Sequence, residues 1–190
     1  MSLNLLKQQL KEAKIINKGD YRYIINTITE QEPALEPAIL NDCANKLLER
    51  LNHKGTTKIL TPEAMGIPIA TVISLKASIP LIIATRRKKE VLNEVSVNYI
   101  CGYENGYFYV NGINKNDKVL IIDDLISTSG TVLSMINAVK KIGAEITDIG
   151  VIFNKVDYQG MQELEKLGFQ PKTLLNIKLN GSEVEVKDFS

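Results

Sequence analysis

The run Val119-Leu120-Ile121-Ile122 contains no polar residue and leads straight into Asp123-Asp124 and then Ser127-Thr128-Ser129-Gly130-Thr131. An apolar run without alternation suits a strand covered on both faces, as in a parallel sheet between helix layers. Immediately afterwards Val132, Met135, Ile136, Val139 and Ile142 recur at helical spacing, and Gly143 marks the stop. Strand, turn and helix in that order commit the chain to an α/β sheet, with the turn at a strand's carboxyl end. Ligands of open α/β sheets bind outside those ends, where the first amides of the following helix are unpaired donors at the positive end of its dipole.

The turn has the chemistry of a monophosphate site. Ser127, Thr128, Ser129 and Thr131 offer hydroxyl donors beside the backbone amides, and Gly130 lets the backbone approach an anion with no side chain between. Ionised Asp123 and Asp124 accept hydrogen bonds and donate none, so their natural partner is a pair of vicinal hydroxyls. Acids and turn together ask for a ribose 5-phosphate. Acid pairs after buried strands also occur in nucleotide triphosphatases and phosphoacceptor domains, but the chain has no Gly-x-x-x-x-Gly-Lys-Ser/Thr loop and no Gly-x-Gly-x-x-Gly.

The rest of the chain alternates in the same manner. An amphipathic helix at the start is followed by a polar extended stretch over 18–33. Pro37 opens a helix that runs to about 52 and stops near Gly55; a strand follows over 58–61, a helix over 68–76 and a strand over 80–85. Beyond the helix ending at Gly143 come a strand over 146–153 and closing strands within 174–186, where Val184 and Val186 alternate with Glu183, Glu185 and Lys187. With 190 residues, 44% of them apolar, one domain with a sizeable core is expected. Lys plus Arg number 23 against 22 acids, which argues against a nucleic-acid or membrane surface and for a small-molecule partner. Cys43 falls among Leu40, Leu47 and Leu51 at helical spacing, a packing position; Cys101 has no partner nearby in sequence, and His53 sits at a helix exit. A histidine triad, a zinc site and a disulfide scaffold are all disfavoured. The start lacks a basic leader followed by an apolar core, so a cytoplasmic protein is expected.

Two further segments fall at strand ends. Thr61-Pro62-Glu63-Ala64-Met65-Gly66 joins a strand to a helix, so its amides converge at a carboxyl edge and suit a second anion. Arg86-Arg87-Lys88-Lys89 opens the long 86–109 segment, in which Val95, Val97, Tyr99, Tyr107 and Tyr109 alternate around Gly102 and Gly106. It reads as a flexible hairpin, and loops this long tend to be lids.

The acid pair and hydroxyl turn resemble the phosphoribosyl-diphosphate (PRPP) signature of the type I phosphoribosyltransferases. Over nearly the whole chain the resemblance is to the purine branch, in particular the archaeal hypoxanthine/guanine enzymes near the adenine and xanthine ones. It implies that family's α/β fold: a central, mainly parallel sheet flanked by helices, with a small hood from the terminal segments (about 1–35 and 174–190) over a core of 36–173 and a mobile lid at 86–109. It also implies that Asp123 and Asp124 contact the ribose hydroxyls and that Ser127 to Thr131 hold the 5-phosphate. Glu63, Ala64, Met65 and Gly66, with Arg86 and Arg87, would take the pyrophosphate, and Mg2+ would arrive with PRPP, touching Glu63 or Asp123 through water. Many members carry glycine where this chain has Ser129. Some place a catalytic base where Ser127 stands, leaving Glu94 and Glu104 as replacements. A lysine near Lys155 reads the purine 6-position in oxopurine-specific members, and a lysine, which only donates, suits a 6-oxo group; Phe153 is placed to stack on the base. The implied activity is transfer of phosphoribosyl from PRPP to hypoxanthine or guanine by a homodimer, giving IMP or GMP and pyrophosphate. An adenine, xanthine, orotate or uracil transferase, or a regulator that senses PRPP or purines without turnover, remains open.

Overall fold

The computed structural model describes residues 3–19, 21–101, 104–181 and 183–189; Met1 and Ser2 of the expected first helix and Gly102 of the expected lid lie outside them. The elements are α1 (Asn4–Lys11), β1 (Ile15–Lys18), β2 (Tyr21–Ile24), α2 (Pro37–Arg50), β3 (Lys58–Pro62), α3 (Gly66–Ala77), β4 (Leu81–Ala84), β5 (Val95–Cys101), β6 (Glu104–Val110), β7 (Lys118–Ile126), α4 (Gly130–Ile142), β8 (Glu145–Lys155), α5 (Gly160–Lys166), β9 (Lys172–Asn180) and β10 (Glu183–Asp188). The α/β alternation is the one the sequence predicts, with α5 added; at 7 residues it is too short to display a helical period. Pro37 opens α2, and Gly143 closes α4 at φ 82°, where glycine bears no steric cost.

Six strands form the central sheet in the order β10-β9-β8-β7-β3-β4, all parallel except β10, which runs antiparallel at the edge. Val119 through Ile122 on β7 are fully buried, and they divide by the two-residue period of a strand. Leu120 and Ile122 join the core made with α1, α2 and α3, around Leu6, Leu10, Leu47, Ile69 and Ile73. Val119 and Ile121 join the opposite core, made with α4, α5 and the β5–β6 hairpin. Each such side chain contributes roughly 1.5–3 kcal/mol of burial, so this strand is the axis of the fold. Cys43 belongs to the first core, where burial pushes its thiol up to about 12, the environment of an inert packing residue.

Within the 174–190 stretch expected in the hood, β9 and β10 are instead strands of the central sheet. Leu174, Leu175, Ile177, Leu179 and Val184 are buried against α1 and α2, and this apolar content draws β9 and β10 into the main core. The amino-terminal pieces lean on that edge: Lys7 Nζ pairs with Asp188 Oδ2 at 2.7 Å, while β1 and β2 form a separate two-stranded sheet. The 86–109 segment is a hairpin, β5 antiparallel to β6, but it is anchored along one face rather than free. Val97, Tyr99 and Phe108 are buried against α4, whereas Leu92 and Ile100 point to solvent. Among the described residues no helix is long and apolar enough to cross a membrane.

Candidate active site

The carboxyl ends of β3, β4, β7 and β8 open into one cavity of about 330 Å³, the size of a small-molecule site. Its floor brings together Glu63, Ala64 and Met65 after β3, Arg86 after β4, Asp123, Asp124, Ser127 and Thr131 around the end of β7, and Lys155 at the end of β8. Tyr21, Tyr23, Asn26 and Thr29 close one side, and Cys101, Glu104 and Phe108 of the hairpin close the other. Parallel strands put these residues together because all their carboxyl ends point the same way.

Asp123 is 4% exposed, and its Oδ1 accepts the Asp124 amide at 2.9 Å. It lies against the start of α3, where a Cβ on Gly66 would come within 3.0 Å of Asp123 Oδ1 and 2.4 Å of Thr61 Oγ1. Glycine is therefore required at 66 so that helix and acid can approach. Burial first, and then the neighbouring Asp124 carboxylate, raises the Asp123 pKa well above the ordinary aspartate range; burial raises Asp124 as well. Two acids in a desolvated corner call for a partner that supplies hydroxyl donors or positive charge.

In the hydroxyl turn, Ser127 and Thr131 line the cavity, with Thr128 between them in sequence. Ser129 does not serve as a side-chain donor to the cavity. Its φ is 60°, and its hydroxyl turns away to donate to Glu163 Oε2 on α5 at 2.5 Å. Gly130 is needed for a reason the sequence does not reveal: a Cβ there would sit 1.7 Å from the carbonyl oxygen of Ile100. Strand β5 rests directly on the first residue of α4.

After β4 the two arginines separate. Arg86 lines the cavity; its amide donates to Glu63 Oε1 at 2.6 Å, and its guanidinium pairs with Glu104 Oε1 at 2.8 Å over the Tyr99 ring at 5.5 Å. Arg87 is exposed and is not part of the cavity wall; its carbonyl accepts the Thr85 hydroxyl at 2.9 Å as the chain turns away from the strand end. Glu94 accepts the Lys89 and Glu90 amides at 3.0 and 3.2 Å and so shapes the lid turn, which leaves Glu104 as the lid carboxylate at the cavity.

Lys155 is 2% exposed, and its Nζ donates to the Arg22 carbonyl between the rings of Tyr21 (4.1 Å) and Tyr158 (4.8 Å). Burial pulls its pKa down to about 8, while the two π faces offset part of that cost. Phe153 is not available to a ligand: it is fully buried in the core with α2 and β9, so the expected stacking role is corrected. Besides Phe108, aromatic side chains at the cavity are Tyr21 and Tyr23, which the sequence reading passed over. Their spacing in a polar stretch, with Arg22 between them, was the available signal.

A parallel sheet whose strand ends join a buried acid pair to a hydroxyl-rich turn beside a β-hairpin is the scaffold of an enzyme that handles a phosphorylated sugar. The family described as phosphoribosyl transferase domain matches residues 33–188, and the chain belongs to it. The hypoxanthine/guanine phosphoribosyltransferase of Methanocaldococcus vulcanius is 42% identical over 182 residues, covering 96% of this chain and 99% of that one. The protein of the same name from Aciduliprofundum boonei is 37% identical over 187 residues, 98% of this chain and 100% of that one. Among solved structures, adenine phosphoribosyltransferase from Thermoanaerobacter pseudethanolicus matches with a TM-score of 0.75 over 92% of this chain and 99% of that one, at 18% identity, a likeness of fold.

Proposed function

We propose that the protein is a purine-salvage transferase that moves the phosphoribosyl group of PRPP onto hypoxanthine or guanine, giving IMP or GMP and pyrophosphate. The bond from ribose C1 to the pyrophosphate oxygen breaks, a bond from a purine ring nitrogen to C1 forms, and that nitrogen loses its proton. Positive charge develops on the sugar and negative charge on the leaving group, so catalysis is mainly electrostatic and positional. Asp123 and Asp124 accept the ribose hydroxyls and face the positive charge. Ser127, Thr131 and the turn amides hold the 5-phosphate. Mg2+ carried by PRPP would keep its waters, be held through them by Glu63 or Asp123, and supply positive charge to the leaving pyrophosphate. The amides of Ala64 to Gly66 take the pyrophosphate with Arg86, whose guanidinium must exchange Glu104 for the ligand. The reading carries with it a homodimer working in the cytoplasm.

The observation that carries the choice of base is the Lys155 ammonium at the cavity, a buried group that donates and never accepts. It suits a 6-oxo group and would meet a second donor in adenine. Near-full-length relatives named for hypoxanthine and guanine point the same way. The test is turnover of PRPP and magnesium with hypoxanthine, guanine, xanthine, adenine and orotate supplied separately. Activity confined to hypoxanthine and guanine supports the reading; adenine activity alone overturns the base assignment, and PRPP binding with no turnover makes the protein a sensor. In Lys155→Ala, kcat/KM for the oxopurines is expected to fall roughly 10–100-fold, the loss of one charge-assisted bond in a buried site. Equal retention toward every base would refute the role.

A further inference from the structure

We propose that Glu163, on α5 and outside the cavity, is a positioning residue that fixes the phosphate turn through the Ser129 hydroxyl and so sets affinity for the 5-phosphate end of PRPP. The inference rests on the phosphoribosyl reading of the cavity. Ser129 is a non-glycine residue at φ 60°, a region that L side chains occupy sparsely, and it immediately precedes the first residue of α4. Its hydroxyl does not cap α4; it is drawn the other way, to Oε2 of the exposed Glu163 at 2.5 Å, a charge-assisted bond donated by a residue that is itself 3% exposed. The backbone of α5 is pressed onto the same turn. The Gly160 amide donates to the Ser127 carbonyl at 2.9 Å, and a Cβ on Gly160 would lie 2.2 Å from that oxygen and 2.5 Å from the Ser129 nitrogen. Turn and short helix thus form one unit, with the left-handed residue at its centre held by a side-chain bond. Ser127 and Thr131, the members that face the cavity, flank that residue on either side.

The experiment measures steady-state constants and the Kd for ribose 5-phosphate in the full chain, its Glu163→Ala, Glu163→Gln and Ser129→Gly variants and the Ser129→Gly/Glu163→Ala double variant, each checked by thermal melting. In Glu163→Ala the KM for PRPP and the Kd for ribose 5-phosphate are expected to rise roughly ten-fold, as loss of one charge-assisted bond implies, with kcat and the purine KM within about two-fold. Glu163→Gln keeps an acceptor oxygen at the same place and is expected to lie close to wild type. Glycine adopts φ 60° freely, so in the Ser129→Gly background the added Glu163→Ala change should alter both constants by less than about two-fold. The same factor in both backgrounds, or a change in kcat with PRPP affinity intact, overturns the proposal. Wild-type protein that binds neither PRPP nor ribose 5-phosphate would overturn the phosphoribosyl reading and this inference with it.

Discussion

Asp123→Asn is expected to reduce kcat by about two to three orders of magnitude, the cost of removing one preorganised charge from a desolvated site, while making the ligand-free protein harder to melt. The two effects share one cause. Asp123 and Asp124 are held in a corner where burial raises both pKa values and the neighbouring Asp124 charge raises that of Asp123 further, so the fold prefers the neutral acids. Their favourable contribution to stability is complete below the ordinary aspartate value of about 3.9 and is lost as pH rises through the higher folded values. As pH rises and the acids ionise in their buried corner, the wild type bears that penalty. An asparagine keeps the Oδ1 that accepts the Asp124 amide and lacks the charge, so the variant's Tm should exceed that of wild type by a few degrees, about 2–4 °C for each kcal/mol relieved in a chain of this size. The difference should shrink toward zero in acid. Saturating PRPP with magnesium should reverse the order, because only the wild type gains the full bond set. A variant that melts no later than wild type at neutral pH would show that the pair is not strained without ligand.

The second large effect is expected at Gly130. In Gly130→Ala the new methyl carbon would have to occupy a point 1.7 Å from the Ile100 carbonyl oxygen and 2.7 Å from its carbon, and both are backbone atoms of β5. No rotamer change relieves such an overlap; either the hairpin lifts off α4 or the start of α4 shifts. Overpacking of this kind destabilises by about 1–3 kcal/mol, occasionally more. A displacement of about 1 Å at the turn that begins α4, proposed to hold the 5-phosphate, or at the hairpin is enough to lower turnover about a hundred-fold. The measurement is kcat/KM for PRPP together with proteolysis of the 86–109 hairpin; a variant with wild-type kinetics and an equally resistant hairpin would sink the account.

The cores were legible in the sequence because their periods are strong. Val119 to Ile122, the Val132 to Ile142 helix and the Pro37 helix all fall where spacing placed them. The acids and the Glu63 turn were legible for another reason: each lies at a strand's carboxyl end, and a parallel sheet gathers those ends without any knowledge of side-chain contacts, whereas Lys155 was singled out by the family resemblance. What remained hidden depends on contacts between segments distant in sequence. Phe153 and Lys155 lie two residues apart on β8, yet one is sealed in the core and the other reaches the cavity, a difference set by where the sheet ends. Arg86 and Arg87 diverge because the chain turns between them. The Ser129 to Glu163 bond spans 34 residues and no local pattern announces it, and the need for glycine at 130 comes from the lid. The β9–β10 placement eluded the reading because alternating apolar residues fit a hood strand and a sheet edge equally well.

Lys155 is bonded to the backbone of β2, and Arg22, the residue whose carbonyl it holds, also donates its amide to the Tyr158 hydroxyl at 3.3 Å and its guanidinium to the Gly181 carbonyl. This constrains the order in which mutations can alter the enzyme's diet. A lineage that begins by exchanging Lys155 loses a fastener between the amino-terminal hairpin and the sheet and, on the proposed function, its reader of the purine edge in the same step, so that the intermediate would be poor at both tasks. Substitutions at Tyr23, a cavity-lining ring outside the Lys155–Arg22 bond, form the passable route, with Lys155 the last position to change, whereas a change at Tyr21 also strips a ring from the Lys155 ammonium.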